Sequence, residues 1–251
     1  MRILIIGGSG YVGTLMTPLL AEQHEVRVLD PVPPRGDHDH VVGSAADPEA
    51  LATALDGMDA VVHGAMGNLS QTDWPAPDTA SAFEVNVASV YATLQAAHAA
   101  SVSRAVVIGS LSVFSNEPVR LVERDIDEGS EPDATNVYGV TKRLGEQVAR
   151  IAAQEHGMTV TVLRLAFPTP DDLWPLWALP VKDEPVQVRR DDGTPVPALA
   201  ASDLAAAVSA ALTRDTGDYD VFHIVGADDS GDGRWSTAKA RDVLGWTARR
   251  R

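Results

Sequence analysis

The segment RILIIGGSGYVG, residues 2–13, constrains the fold more tightly than any other part of the chain. A short apolar run that ends in glycines reads as a strand buried on both faces. The glycines follow as Gly8-x-Gly10-x-x-Gly13 and, one register back, as Gly7-x-x-Gly10-x-x-Gly13, while a helical pattern opens at Tyr11. A strand that turns this sharply into a helix is the first half of a βαβ unit. The same rhythm recurs downstream. EVRVLD (25–30), DAVVHG (59–64), RAVVIGS (104–110) and TVTVLRLA (159–166) are apolar runs of strand length. Helical patterns lie between them, at about 11–22, from Asp47 onward, at about 79–100, and from 137 to a stop at Gly157. Asp47-Pro48 suits an N-cap followed by proline at the first helical position. Strands apolar throughout, each followed by a helix, predict an α/β fold with a doubly wound parallel sheet.

After Phe167 the rhythm breaks. PTPDDLWPLWALPVKDEP is rich in proline and tryptophan, and PVQVRRDDGTPV predicts a hairpin about Asp-Gly. A helix over SDLAAAVSAALTR, opened by Ser202 or Asp203, and a strand over 218–226 come next. STAKARDVLGW predicts a short helix capped by Ser236 and ended by Gly245. The expected organisation is a sheet domain over 1–167, with 202–226 returning to it, and a small C-terminal cap within 168–251.

The glycine turn carries chemistry. It lets the backbone approach a pyrophosphate, and the helix that starts there supplies N–H donors and the positive end of its dipole. The matching signal is an acidic residue about 20 positions further on, at the end of the second strand. Asp30 stands there. Its carboxylate would accept from both adenosine ribose hydroxyls and repel a 2′-phosphate, so NAD is expected over NADP. Arg35, five residues on, would reverse that preference if its loop folds back.

Tyr138 and Lys142 lie four residues apart in TNVYGVTKRLGE, so on a helix both side chains leave one face. Oxidising a secondary alcohol requires a base at the hydroxyl. A free phenol, with a pKa of about 10, is too weakly ionised at neutral pH. A nearby ammonium and a cationic nicotinamide ring both favour the phenolate. Gly139, between the two, costs about 1 kcal/mol against Ala in a helix interior and points to a close backbone approach.

With the glycine loop, VVHGAM, VIGSLSVF, the Tyr-Lys pair and the spacing between them, the chain resembles the extended short-chain dehydrogenase/reductases, which include NAD-dependent sugar epimerases and dehydratases. The resemblance covers residues 1–167 well and is patchier beyond. It implies a Rossmann fold and NAD held by Gly7, Gly10, Tyr11, Val12, Gly13, Asp30, Ala65, Lys142 and Phe167. It implies Ser110, Tyr138 and Lys142 as the catalytic set, with Ser110, Ser112 and Tyr138 at the substrate and Ser112 competing for the place of Ser110. Asn86 matches a family asparagine behind the site. His63 stands beside the cofactor strand and reads as a packed, hydrogen-bonded residue. The resemblance also implies a homodimer, built on a four-helix bundle of the helices near 79–100 and 138–155.

The chain departs from the nucleotide-sugar members in its short substrate region, where Val196, Pro197 or Ala198 stands in place of a basic residue. Its tail is similar to that of the uronate dehydrogenases, for which Arg164, Arg189 or Arg234 could anchor a carboxylate. The expected activity is hydride transfer at a hydroxyl or carbonyl carbon of a sugar or sugar acid. A nucleotide-sugar epimerase and a non-catalytic NAD-binding regulator remain as alternatives.

Composition narrows the field. A net charge of −15 repels phosphate backbones and anionic membranes, so no nucleic-acid or membrane partner is expected. With no cysteine there are no disulfides or thiolate metal sites, which fits a reducing cytoplasm. The N-terminal apolar run is too short for a signal peptide and no run is long enough to span a bilayer. His38-Asp39-His40, read as part of a solvated loop, lacks an evident third ligand, so no metal site is expected.

Overall fold

The computed structural model of the chain describes residues 1–67, 78–114, 126–178, 184–190, 192–226 and 235–249. Its centre is a seven-stranded parallel sheet. Strands β1 (Arg2–Ile6), β2 (Glu25–Asp30) and β3 (Asp39–Val42) run outward in one direction. On the other side of β1 lie β4 (Ala60–His63), β5 (Arg104–Ser110) and β6 (Thr159–Leu165). The edge beyond β6 is a later strand, Tyr219–Ile224. The order therefore reverses between β1, paired to β2 at Ile6↔Leu29, and β4, paired to β1 at Ile6↔His63. In such sheets this switch point opens a crevice at the carboxyl ends of the strands, where ligands bind.

Side chains alternate across each strand, and the alternation divides the core in two. Ile3 and Ile5 face α1 (Tyr11–Ala21) together with Val106, Ile108, Leu163 and Phe222. Leu4 and Ile6 face the opposite layer, made of α2 (Pro48–Leu55), the helix over 79–99 and a long helix, Val137–His156. Asp47 caps α2, accepting from the Glu49 and Ala50 amides, with Pro48 at its first position. Gly157 ends the long helix in the left-handed region at φ 63°.

The helix expected over 79–100 is one rod with a widened turn. It runs as α3 (Thr79–Phe83), a π-helical turn over Glu84–Ala88, and α4 (Ser89–Ala99). The long helix after it is α5 (Val137–His156). Its Gly145 explains the turn's position: a Cβ there would lie 2.5 Å from the Asn86 carbonyl oxygen, so α5 seats directly on the bulge.

Two further expectations are corrected. The stretch holding His38-Asp39-His40 is not all loop, because Asp39–Val42 forms edge strand β3. Arg27 donates to the Asp39 carboxylate at 2.6 Å, and His40 Nε2 lies 2.9 Å from the Asp30 carbonyl. Neither Ser202 nor Asp203 caps the helix they precede in sequence reading. After β7 (Pro168–Thr169), the hairpin β8 (Val188–Arg189) and β9 (Pro195–Val196), and β10 (Leu199–Ala200), helix α6 begins at Ala201 with no side-chain cap. Asp203 is instead buried and receives the Arg249 amide, while its carbonyl accepts from the Trp246 indole.

β7 pairs in parallel with β10, close to the end of β6. Around them Trp177, Val196 and Ala198 make a small separate core against Phe167, Val186 and Val188. The indoles of Trp174 and Trp177 donate to the carbonyls of Ala198 and Val196. α6 (Ala201–Leu212) then packs beside α1, and β11 (Tyr219–Ile224) completes the sheet.

Candidate active site

The turn after β1 is shaped by two glycines that could not be anything else. Gly7 sits at φ 80°, and a Cβ there would meet the Ala65 backbone at 2.6 Å. A Cβ on Gly13 would lie 2.2 Å from the Gly7 carbonyl oxygen, so α1 is pressed onto the loop. Gly10 is different: the nearest atom to a Cβ there is the Gly7 oxygen at 3.4 Å, and the space beyond is open. Gly10 is also the N-cap of α1, without a side-chain cap and with no acidic residue in the first turn of Tyr11, Val12 and Gly13. An uncapped, positively polarised helix start facing open space suits a pyrophosphate.

Asp30 ends β2 beside this loop, buried. Its carboxylate oxygens accept from the amides of Ser9 (3.0 Å) and Val32 (2.9 Å). Each oxygen keeps lone-pair capacity for a ribose hydroxyl. Arg35 is exposed. The residues present thus fit a dinucleotide. Tyr11 has a further task. Its single phenolic proton is shared between the carbonyls of Pro168 (3.0 Å) and Ala178 (3.2 Å), and its ring lies 5.5 Å from that of Phe167. Phe167 stacks in turn on Trp177. Burial pushes the Tyr11 phenol up to about 12.

Ser110 ends β5, buried, and its hydroxyl accepts the Ser112 amide at 3.1 Å as the chain enters a 3-10 turn. Asn136 caps α5 by accepting the Gly139 amide at 2.8 Å, which sets Tyr138 in the first turn. Gly139 lets that turn close on the strand end, since a Cβ there would lie 2.5 Å from the Ser112 carbonyl oxygen. The phenol of Tyr138 and the hydroxyl of Ser110 are thereby within hydrogen-bonding reach. Burial raises the phenol above its usual range, and the Ser110 hydrogen bond opposes this. Lys142, one turn on, donates to the Ile108 carbonyl at 3.1 Å, with its ammonium 6.0 Å from the Tyr138 ring centre. Burial lowers Lys142 to about 8, with Glu146 acting in the other direction.

Behind these groups the widened turn points Asn86 inward. Its Nδ2 donates to the Thr141 hydroxyl at 3.0 Å, and its Oδ1 is buried without a partner. His63 lies 2.9 Å from the Ser89 hydroxyl, fully packed, and burial with the nearby Lys142 charge lowers it to about 3. Sequence reading missed Glu146. It lies four residues after Lys142, a spacing visible in the sequence, and Arg164 holds it through two hydrogen bonds of 2.8 and 2.7 Å. Arg164 is 4% exposed and so occupied in the core; it does not reach a substrate surface. Arg189 donates within the hairpin to the Gly193 carbonyl. Arg234, with the loop 227–234 whose pattern is similar to the uronate dehydrogenase tail, lies outside the described residues.

A doubly wound sheet with a glycine turn at its switch point, Ser110 at the end of β5 and the Tyr138–Lys142 pair on α5, is the arrangement of a protein of the short-chain dehydrogenase/reductase type. The profile of the NAD dependent epimerase/dehydratase family matches residues 3–224, and the chain belongs to that family. Membership makes NAD the cofactor. Among curated proteins, the L-arabinose 1-dehydrogenase (NAD(P)(+)) of Haloferax volcanii is 30% identical over 177 residues, 66% of each chain. The uronate dehydrogenase of Pseudomonas putida is 28% identical over 185 residues, 68% of this chain and 63% of that one. The aligned stretch thus spans just under two thirds of either relative. Among solved structures, a short-chain dehydrogenase/reductase superfamily protein from Agrobacterium tumefaciens with bound NAD superposes with a TM-score of 0.79 at 24% identity. That likeness covers 100% of this chain and 93% of the other.

Proposed function

We propose that the chain is an NAD-dependent oxidoreductase that transfers a hydride at a hydroxyl or carbonyl carbon of a sugar or sugar acid. One observation carries the reading: Ser110, Tyr138 and Lys142 converge at the carboxyl end of β5, two strands along the sheet from β1 and its glycine turn. Bound NAD supplies the hydride acceptor. The Ser110 hydroxyl and the Tyr138 phenol hold the substrate oxygen from one side. As the carbon gives up its hydride, Tyr138 in its phenolate form takes the hydroxyl proton, and a carbonyl forms. Lys142 stabilises that phenolate by its charge and its place one helical turn away. The arabinose and uronate dehydrogenase relatives support a sugar-type substrate.

The test is NADH formation from a panel of aldoses, uronates and nucleotide sugars. Tyr138→Phe should lower turnover by about 10² to 10⁴-fold while NAD still raises the melting temperature. Conversion of a nucleotide sugar with no net NADH would make the enzyme an epimerase. Unchanged turnover in Tyr138→Phe would remove the assigned acid/base.

We further infer a homodimer in a reducing cytoplasm. Phe83, Leu144 and Ile151 are exposed apolar side chains on α3 and α5, the helices expected to form the bundle. Sedimentation of wild type against Leu144→Glu/Ile151→Glu tests this. A wild type that sediments as a monomer at micromolar concentration overturns it.

A further inference from the structure

Tyr138, Lys142 and Glu146 fall at i, i+4 and i+8 of α5, so one stripe of the helix carries a phenol, an ammonium and a carboxylate towards the sheet. Lys142 and Glu146 line the same small internal cavity, together with His63, Asn86 and Gly145. Glu146 is 5% exposed, too deep for water to screen its charge well. Arg164, on β6, grips both its oxygens and lies with its guanidinium 4.8 Å from the centre of the Phe114 ring. Phe114 follows the 3-10 turn that starts at Ser110. A buried ion pair is weak evidence for stability, because desolvation offsets most of its attraction. Its placement next to a buried catalytic ammonium asks for another account.

We propose that Glu146, held by Arg164, is a positioning residue that keeps the Lys142 ammonium charged and seated beside Tyr138. The inference rests on the hydride-transfer reading for its consequence in turnover, but its electrostatic content stands on the cavity. Desolvation alone would push Lys142 towards the neutral amine, and a neutral amine could not stabilise a phenolate. Among the described residues the polar groups around the ammonium are few. Tyr138 and Glu146 come from α5, His63 from β4, the Ile108 carbonyl from β5, and Asn86 from the π turn. His63 is held neutral by its burial, so among the described residues Glu146 is the anionic side chain lining this cavity. Arg164 does not line it, and acts by fixing the carboxylate's orientation.

The chain has three lysines, Lys142, Lys182 and Lys239, which makes a direct measurement practical. In protein labelled at the lysine Cε, with Lys182→Arg and Lys239→Arg for assignment, NMR titration reads the ionisation of Lys142 without any substrate. The wild-type midpoint should lie near 8. Glu146→Gln should move it down, and Glu146→Asp, which keeps the charge, should move it back towards wild type. If Glu146→Gln does not fold because Arg164 is left unpaired, Glu146→Gln/Arg164→Gln removes both charges and should show a smaller downward shift, since the lost cation opposes it. An unmoved midpoint in the foldable Gln variant, or Gln and Asp variants that titrate alike, overturns the inference and leaves a merely structural pair. The alkaline limb of kcat/KM should follow the NMR midpoint. A shifted midpoint in a protein that turns over no sugar would sink the oxidoreductase reading and not this one. Tyr138-dependent turnover with an unmoved midpoint would do the reverse.

Discussion

Gly139→Ala separates two forces that act in opposite directions at one atom. In an isolated helix interior the substitution stabilises by about 1 kcal/mol, an upper bound for Gly139 in the first turn of α5. Here the new Cβ would lie 2.5 Å from the Ser112 carbonyl oxygen and 2.5 Å from the Ala134 Cβ. Both contacts are well inside the shortest distances a Cβ tolerates. The Ser112 oxygen belongs to a backbone that cannot rotate away, so α5 or the Ser110–Val113 turn must move by roughly half an ångström or more. Overpacking of this kind costs about 1–3 kcal/mol. The net is about 0–2 kcal/mol of destabilisation, which for a chain of this size lowers the melting temperature by up to ~8 °C. The effect on turnover should be larger than the effect on stability. The turn that moves carries Ser110, and the helix that moves carries Tyr138, so the two hydroxyls lose their shared oxygen. A misplacement of about 1 Å in such a site costs on the order of 10²-fold. The assay is a pair of measurements on one preparation: thermal unfolding with and without NAD, and NADH formation with the best substrate of the panel. A variant that melts at or above wild type and keeps full turnover would show that propensity outweighs the contact, and the role given to this glycine would be wrong.

Other outcomes follow from the same geometry. Asp30→Ser removes a carboxylate that would face a 2′-phosphate, so the preference for NAD over NADP should fall by about tenfold or more, roughly 1.4 kcal/mol; calorimetry with both cofactors checks it, and an unchanged ratio would assign the selectivity elsewhere. His63 and His223 are buried and held at about 3, in both cases chiefly by desolvation. Their folded values lie below the unfolded 6.5, so the unfolded chain binds protons first and stability falls as pH drops through 6.5 towards 3. By pH 5 the two together should cost about 4 kcal/mol, seen as a lower urea midpoint that His223→Phe partly restores.

What could be read in the sequence, and what could not, divides by the range of the contacts involved. The glycine turn, the Asp47-Pro48 start and the Gly157 stop each depend on backbone geometry within a few residues. Residue type and spacing report such features directly. The π turn at Asn86 depends on the carbonyl seat that Gly145 offers from a different helix, so periodicity over 79–100 showed only one continuous helix. Ser202 and Asp203 carry the right chemistry for a cap. Asp203, however, is drawn to the Arg249 amide, and the Ser202 amide to the Asp171 carboxylate, by neighbours 46 and 31 residues away.

Arg164 shows the limit most plainly. As a lone basic residue on a strand near the substrate region it suggested a carboxylate anchor, yet its guanidinium is spent on Glu146 inside the core. The i, i+4 relation of Lys142 to Glu146 was on the page of the sequence, but the charge it carries has meaning only with burial, which no local pattern reveals. That difference explains why the Tyr138–Lys142 pair stands out in the sequence while no substrate-binding group does. Tyr138 and Lys142 share one helix whose phase fixes their relation. The region after Phe167 is held by distant pairs, such as the Trp174 indole on the Ala198 carbonyl and Tyr11 on Pro168, and each can change with little trace in local spacing. Tyr11 also joins the two regions: the residue that opens α1 is the one whose phenol reaches the Pro168 and Ala178 carbonyls. Loss of that phenol in Tyr11→Phe should therefore raise KM for substrate more than it weakens NAD, because the backbone N–H groups of the glycine turn remain in place.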